Sequence, residues 1–580
     1  MPIILARTAG FCFGVRRAVK IALNEAQKRT TPLVTLGPLI HNQQAIDLLK
    51  SRGITIKHHP SEVNGETRVL IRAHGITPAV RRELEEIGME LCDATCPHVT
   101  ATQKIVERHA GMGFSCVIIG DHGHAEVEGL LGCAGEKGFV VETPGDVRNL
   151  PDLEKVCVVS QTTQEAGHFE ELVEIIKKRF EDVKVFKTIC NATSLRQQEL
   201  LEIAARSDMV LVVGGRTSAN TRRLVEISES TGTRTCHVET AEEIDLSRIG
   251  PRVVVGVTAG ASTPHWVIRN VVETLADHQL KNQFFLFRSV VGFMRFLIYS
   301  SLILGLGAGA LTYAASCLMG QKPDFLYSLL SFLFVLSMHL INKRLSLPAD
   351  ENMLYGSQKR FAGYRDAFTL LAVFSIVFSL VTALFLGKMV FTLILFSIVA
   401  GLIYSLTLLP PNLSRFFRHR KLMDIPGSKD IFMALAWCMV VVVIPYLVGK
   451  KGRISGFLFT FPFVMLLVLV RSILLDVRDL EGDIALGKET IPTLLKPRVF
   501  GRLLHFMLVM IMLLLLVGWI SGALPDLALF LILLSPFLLF HYTMSNRQVL
   551  YQSLLYDAFL EAPFLLAGFM TFLWQWMSAG

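Results

Sequence analysis

Cys116-Val-Ile-Ile-Gly-Asp-His-Gly-His-Ala-Glu126 is an apolar run of strand length that ends in a glycine-rich polar loop. Two further segments have the same form: Met209-Val-Leu-Val-Val-Gly-Gly-Arg-Thr-Ser-Ala-Asn220 and Val253-Val-Val-Gly-Val-Thr-Ala-Gly-Ala-Ser262. Around them, strand-like runs at Leu33–Leu36, Arg68–Ile71, Cys116–Gly120, Val156–Ser160, Met209–Gly214 and Val253–Val257 alternate with helix-length stretches. The helices include Arg16–Arg29, His168–Arg179 and Thr221–Glu229. This alternation predicts βαβ units and parallel sheets. Loops at the carboxyl ends of parallel strands are where such folds place ligands. Glycine allows close backbone approach there, and the helix start that follows attracts an anion. One such loop alone also fits an ordinary strand–helix turn. Three, each delivering Ser, Asn or His, predict an anionic ligand at the middle of a repeated α/β architecture.

The 580 residues are enough for two or more domains, and the 52% hydrophobic content averages two unlike halves. Residues 1–282 have ordinary charge density; residues 290–580 contain successive apolar runs of about 20 residues, the length that spans a bilayer. The mean hydropathy of +0.48 comes from that second half. The net charge of +8 is explained by Lys/Arg clusters beside the apolar runs, which argues against a nucleic-acid partner. Eight cysteines (12, 92, 96, 116, 133, 157, 190, 236) lie in the first half, and Met1-Pro-Ile-Ile-Leu-Ala-Arg7 carries no basic leader. The thiols are therefore expected to be reduced, cytoplasmic and free to bind metal.

Three cysteines stand in short polar surroundings: Cys12 in Ala9-Gly-Phe-Cys-Phe-Gly-Val15, Cys96 in Asp93-Ala-Thr-Cys-Pro-His98, and Cys190 in Thr188-Ile-Cys-Asn-Ala-Thr193. Pro97 suits the first position of a helix. His41, His74 and His124 each follow a strand run. With Ser218, Asn220 and Ser262 they form a donor set for a diphosphate, or alternatively zinc ligands, although their scattered spacing matches no paired zinc pattern.

Together these residues resemble the 4-hydroxy-3-methylbut-2-enyl diphosphate reductase (LytB/IspH) family over nearly all of residues 1–280. The resemblance is carried by Gly10-Phe-Cys-Phe-Gly-Val-Arg16, Gly37-Pro-Leu-Ile-His-Asn42, Asp93-Ala-Thr-Cys-Pro-His98, Gly120-Asp-His-Gly-His-Ala-Glu-Val127, Ser160-Gln-Thr-Thr163 and Gly256-Val-Thr-Ala-Gly-Ala-Ser262. It implies three pseudo-repeated α/β modules around a [4Fe-4S] cluster held by Cys12, Cys96 and Cys190. It also implies diphosphate binding by His41, His74, His124, Ser218, Asn220 and Ser262, and handling of the substrate hydroxyl and its proton by Thr162 and Glu126. An electron donor such as ferredoxin or flavodoxin is the partner it implies. Where the family often has Ser-Ser-Asn, this chain has Ser218-Ala-Asn220. Three thiolates leave one iron open as a Lewis acid, whereas four would close the cluster. Glu126 needs a raised pKa to hold a proton at neutral pH.

Residues 283–289 read as a linker into an interfacial segment. Nine spans follow, at about 290–319, 324–342, 366–387, 389–410, 429–449, 454–475, 502–522, 524–542 and 557–577. Basic residues follow spans two (Lys343, Arg344, Lys359, Arg360), four (Arg415, Arg418, Arg420, Lys421) and six (Arg478, Lys488, Lys496, Arg498). A smaller outer cluster is Lys450, Lys451 and Arg453. The bias predicts a multi-pass protein of the inner (cytoplasmic) membrane with its first domain in the cytoplasm. In the loop expected after span six, Asp476, Asp479 and Asp483 are spaced to share one helical face, a Mg²⁺ ligand pattern. With Gly487-Lys-Glu-Thr-Ile-Pro492 they resemble the second Asp-rich motif of UbiA-type intramembrane prenyltransferases. The first motif keeps Asn342 and Asp350 but has Ser346 between them, with Glu351 as a substitute ligand. The resemblance implies transfer of a prenyl group from a prenyl diphosphate to a lipophilic acceptor. Two alternatives stay open: a reductase with a non-catalytic membrane anchor, or a metal-binding, diphosphate-sensing module.

Overall fold

The computed structural model describes residues 3–28, 31–63, 67–281, 284–345, 361–405, 425, 427–449, 452–485, 490–546 and 554–579. Ser346, Asp350, Glu351, Lys359, Arg360, Arg415, Arg418, Arg420, Lys421, Lys450, Lys451 and Lys488 lie outside the described residues. The chain divides into two compact units, Met1–Gln283 with Ala485–Gly487, and Phe284–Ile484 with Lys488–Gly580.

The first unit opens with β1 (Ile3–Leu5) and α1 (Phe13–Lys28). A first module follows: β2 (Leu33–Leu36), α2 (Gln43–Ser51), β3 (Ile54–Lys57), β4 (Arg68–Ile71), α3 (Pro78–Glu86) and β5 (Glu90–Asp93). Helix α4 (Pro97–Gly111) leads to the second: β6 (Ser115–Ile119), α5 (Ala125–Ala134), β7 (Gly138–Val141), α6 (Pro144–Asn149), β8 (Lys155–Ser160), α7 (Ala166–Arg179) and β9 (Asp182–Val185). Helix α8 (Asn191–Ala204) leads to the third: β10 (Met209–Val213), α9 (Ala219–Ser230), β11 (Arg234–Val238), β12 (Val255–Ala259) and α10 (His265–Lys281).

Each module is a four-stranded parallel sheet, and the orders are β3-β2-β4-β5, β7-β6-β8-β9 and β11-β10-β12-β1. The plan is the same three times: second strand, first, third, fourth. In the third sheet the fourth place is taken by β1, paired with β12 from Ile3 opposite Val255 to Leu5 opposite Val257. Central strands such as β10 are buried along their whole length, because helices cover both faces of a parallel sheet. The three helices that carry the chain between modules (α1, α4, α8) each begin immediately after Cys12, Cys96 or Cys190.

In the second unit, among the described residues, seven helices are long and apolar enough to cross a membrane: Phe325–Leu345, Arg365–Leu386, Ser428–Val448, Ile454–Leu480, Pro497–Ile520, Leu527–Met544 and Tyr556–Ser578. The bent pair Phe285–Tyr299 and Leu302–Leu318 makes an eighth if counted as one span. Lys388–Tyr404 is apolar but shorter. The first expected span, 290–319, is therefore not one straight helix. It bends by 70° at Ser300 and Ser301, where Ser301 adopts a left-handed φ of 60° and Ser300 Oγ donates to the Phe296 carbonyl. The segment expected as a linker is helical from Phe285 onward. After the bend, Gly305 and Gly309 allow close approach of Phe332 and the Ser328 carbonyl, and Gly307 does the same for Phe564. Small residues at helix contacts are how apolar spans associate without a hydrophobic driving force.

Leu211 lies fully buried at the centre of β10, between β11 and β12. Leu211→Ala is expected to cost about 2–5 kcal/mol, the range for a core truncation that leaves a cavity, read as an earlier first transition when the full chain is unfolded in detergent.

Candidate active site

Three backbone hydrogen bonds build the site. The Cys12 N–H donates to the Ala261 carbonyl (3.1 Å), that of Cys96 to Ala73 (2.9 Å) and that of Cys190 to Thr162 (3.0 Å). In each module this ties the loop after the fourth strand to the loop after the third. The cysteines are thereby set beside Ser262, His74 and Thr162. Loops after the first strands bring His41, His124 and Ser218 to the same place. All eleven residues singled out in the first half line one cavity: Cys12, Cys96, Cys190, His41, His74, His124, Glu126, Thr162, Ser218, Asn220 and Ser262.

The cysteine sulfurs are half-buried and unbridged. Burial pushes the Cys96 thiol up, the N–H groups of His98 and Val99 oppose that, and the neighbouring Cys12 and Cys190 raise it further. A Cβ on Gly14 would lie 2.5 Å from Cys96 Sγ and 4.0 Å from Cys12 Sγ, so glycine is required where the sulfurs approach α1. Among the described residues, the one trio of His, Cys, Asp or Glu whose ligand atoms all lie within 4.8 Å of one another is His41, His74 and His124. The thiolates of a polynuclear cluster each take a different iron, so Cys12, Cys96 and Cys190 need not converge on one point as the ligands of a single zinc ion do.

The imidazoles of His41, His74 and His124 have centroids 4.8, 5.4 and 5.9 Å apart. Burial holds all three below the usual histidine range, His124 at about 4, and the Arg72 and Arg222 charges add to the effect on His41. His124 caps α5 by accepting from the Glu126 N–H at Nδ1 (3.1 Å), which leaves its proton on Nε2. His41 Nε2, His74 Nδ1 and Asn220 Nδ2 are buried without a protein partner. Buried polar atoms rarely stay unsatisfied, and a set of them converging from the first and third modules is what an anion with many oxygens would fill. Cationic arginines nearby favour an anion over a metal ion. Ser262 Oγ donates to the His41 carbonyl (3.0 Å) and lies 3.3 Å from Ser218 Oγ, which joins the first and third modules.

Glu126 is fully buried, and its carboxylate accepts from the Thr162 N–H (2.7 Å) and hydroxyl (2.8 Å). Burial pushes it up to about 7 against those two bonds, with Asp121 adding to the rise. A proton is therefore available at neutral pH beside the cavity. Arg72 and Arg222, whose charges act on the histidines, stand in none of the quoted motifs, and Asp121 lies within Gly120–Val127 without a role of its own there.

In the second unit, the helix Ile454–Ala485 runs unbroken through Asp476, Asp479 and Asp483. The segment expected as a loop is thus the last turns of a helix; nothing in Leu474–Ala485 except Gly482 opposes helix formation. Lys429 Nζ donates to Asp476 Oδ1 (2.8 Å), and Arg478 binds both oxygens of Asp479 (3.0 and 2.9 Å). Asp483 is buried, and Asn342 is exposed near the end of the helix Phe325–Leu345.

The raised Glu126 pKa makes a signed prediction. A carboxyl whose folded pKa exceeds its unfolded value stabilises the fold fully below the unfolded pKa and loses that contribution as pH rises through about 7. Glu126→Gln is expected to flatten the fall in thermal stability between pH 4.5 and 7, measured on the full chain beside the wild type.

Comparison with known proteins identifies a family for each half of the chain. The LytB protein family matches residues 3–276, and the UbiA prenyltransferase family matches residues 363–553. The 4-hydroxy-3-methylbut-2-enyl diphosphate reductase of Caldanaerobacter subterraneus subsp. tengcongensis is 40% identical over 278 residues, 47% of this chain and 96% of that protein. The enzyme of the same name from Aquifex aeolicus is 42% identical over 287 residues, 48% of this chain and 99% of that protein. A solved structure of (E)-4-hydroxy-3-methyl-but-2-enyl diphosphate reductase, described as the terminal enzyme of the non-mevalonate pathway, is 41% identical. It covers 48% of this chain and 100% of its own, with a TM-score of 0.39. The chain belongs to the LytB family of 4-hydroxy-3-methylbut-2-enyl diphosphate reductases and carries a UbiA prenyltransferase domain in the same multi-pass membrane polypeptide.

Proposed function

We propose that residues 1–282 reduce (E)-4-hydroxy-3-methylbut-2-enyl diphosphate to isopentenyl and dimethylallyl diphosphates at a [4Fe-4S] cluster held by Cys12, Cys96 and Cys190. The observation that carries this reading is the convergence of one pinned cysteine from each module on the cavity that also holds the histidine trio and Glu126. When bound, the cluster supplies single electrons and one iron corner open to oxygen. The chain's own residues do the rest. His41, His74, His124, Ser218, Asn220 and Ser262 hold the diphosphate, and their uncharged imidazoles regain basicity when an anion accepts from them. Thr162 orients the substrate hydroxyl, and Glu126 delivers the proton through it, so that water leaves. Burial of Glu126 keeps competing solvent from that proton. Ferredoxin or flavodoxin is the electron donor, and the first domain faces the cytoplasm of an inner-membrane protein.

For residues 290–580 the proposal is transfer of a prenyl group to a lipophilic acceptor. Asp476, Asp479 and Asp483, with Asn342 and Asp350, would bind Mg²⁺ and through it the prenyl diphosphate. The second reading, a non-catalytic anchor joined to the reductase by residues 283–289, is favoured by the Lys429 and Arg478 side chains that already counter Asp476 and Asp479.

Anaerobic reconstitution with iron and sulfide tests the first proposal. Wild type should take up both and absorb as a cluster protein. Cys96→Ser should lose iron and turnover, and Glu126→Gln should keep iron while losing about a hundredfold or more in kcat, the usual worth of a general acid. A colourless wild type holding stoichiometric zinc would end the redox reading. Prenyl transfer in membranes decides the second: Asp479→Asn should abolish a Mg²⁺-dependent activity that wild type shows, whereas an inactive wild type leaves the anchor.

A further inference from the structure

The helix that begins behind Cys190 reaches back to the loop that carries Cys12. Arg196, six residues after Cys190 in α8, is buried. Its Nη2 donates to the Gly10 carbonyl (3.0 Å) and its Nη1 to the Ala259 carbonyl (2.5 Å). Gly10 stands two residues before Cys12, and Ala259 two before Ala261, whose carbonyl accepts from the Cys12 N–H. One guanidinium therefore spans both segments joined by that bond. Glu199, three residues further along α8, accepts from the Arg7 N–H (2.7 Å), the Thr8 N–H (2.8 Å) and the Thr8 hydroxyl (2.7 Å). Residues at that spacing are neighbours on a helix surface, so Arg196 and Glu199 hold the segment Arg7–Gly10 as a pair.

The position of α8 on the third sheet is fixed separately. A Cβ on Gly256 of β12 would lie 2.4 Å from Ile203 Cγ2 and 2.7 Å from Ser207 Oγ, so glycine is what lets the helix lie this close. Ile203 follows Arg196 by two turns on the same face, which sets the guanidinium at the end of β12. On its other side the loop is confined by α10. Gly10 has a φ of +108°, and a Cβ there would come within 2.5 Å of His265 Nε2. A related contact serves Cys96. Arg17, five residues after Cys12 in α1, donates from Nη1 to the carbonyl of Thr95, the residue before Cys96 (2.9 Å).

We propose that Arg196, Glu199 and Arg17 are positioning residues for the cluster. Each reaches from the helix that starts behind one cysteine to the loop that ends on another, which links the thiols in the order Cys190, Cys12, Cys96. The inference rests on the reductase reading and extends it to residues that carry none of the cluster ligands. A guanidinium suits the task because its planar fork spans two carbonyls at once, and a carboxylate because its two oxygens take adjacent amides. Groups that orient ligand-bearing segments govern how firmly a site keeps its metal. With these contacts the three thiols hold their relative places before iron arrives. Without them the Cys12 and Cys96 loops would have to be ordered by the metal itself, at a cost to its retention.

The test uses the full chain in detergent after anaerobic iron–sulfide reconstitution. It follows iron release to a ferrous chelator, with thermal unfolding of the same samples. Arg196→Ala, Glu199→Ala and Arg17→Ala should each release iron about tenfold faster than wild type, the lower end of what loss of a ligand-orienting residue costs. Arg196→Lys should recover part of the retention, because an ammonium reaches one carbonyl where the fork reaches two. Leu200→Ala is the control. Leu200 is buried on α8 with Val210, Val212 and Leu224, in a cluster that contains no residue of the Cys12 loop. It should lower the unfolding temperature while iron release stays within about twofold of wild type. If Arg196→Ala does not fold, Glu199→Ala and Arg17→Ala, at half-buried positions, decide. Iron release at the wild-type rate in these variants overturns the inference, as does an acceleration that Leu200→Ala matches at equal loss of stability. A wild type that takes up no iron overturns the reductase reading instead, and this inference with it.

Discussion

Three amide-to-carbonyl bonds, from Cys12 to Ala261, Cys96 to Ala73 and Cys190 to Thr162, are the constraint on which the rest of the first unit depends. Each bond fixes a helix start against the neighbouring strand end. Each therefore fixes a thiol against the groups that would meet a substrate. Without them a helix start would be free to drift, and sulfurs from positions so distant in sequence would share no common point. A backbone bond is a suitable anchor for this. It leaves the thiol free for metal and satisfies a donor that would otherwise be orphaned at a helix N-terminus. The arrangement repeats because the sheet order repeats, so that the three thiols, the histidine and serine side chains and Thr162 arise at corresponding strand ends.

Much of this plan is legible in the residues, and the limits have a physical pattern. The six strand runs expected from sequence correspond to β2, β4, β6, β8, β10 and β12, the two central strands of each sheet. Those strands are covered on both faces and spell continuous apolar runs. The six that escape notice (β1, β3, β5, β7, β9, β11) are edges, and stretches such as Glu-Leu-Cys-Asp and Asp-Val-Lys-Val carry charges that water tolerates there. Half of the strands thus follow from composition and the others only from pairing. The look-alike segments at 209–220 and 253–262 belong to the same sheet, so the true repeat compares first strand with first strand.

The site residues divide in the same way. Histidines and serines directly after central strands are visible because strand ends are where ligands gather. Arg72 and Arg222 escape notice because a lone arginine has no spacing signature. In the membrane half, apolar runs reveal the spans, yet the bend at Ser300 and Ser301 does not show in hydropathy. Nor does the continuation of helix past Leu475, since a charged helical turn and a charged loop have the same composition. The charges on it are held by pairing with Lys429 and Arg478, as buried ions require.

The pairing of β1 with β12 sets a schedule for biosynthesis. The strand that leads to Cys12 leaves the ribosome long before its partner at Val255–Ala259 has been translated. Until then it lacks its only sheet neighbour among the described strands, and one of the three thiols has no defined place. The third sheet can close only after β12 is made, at a moment when the first apolar helices are already entering translation. Completion of the first unit and membrane insertion of the second therefore fall in the same interval.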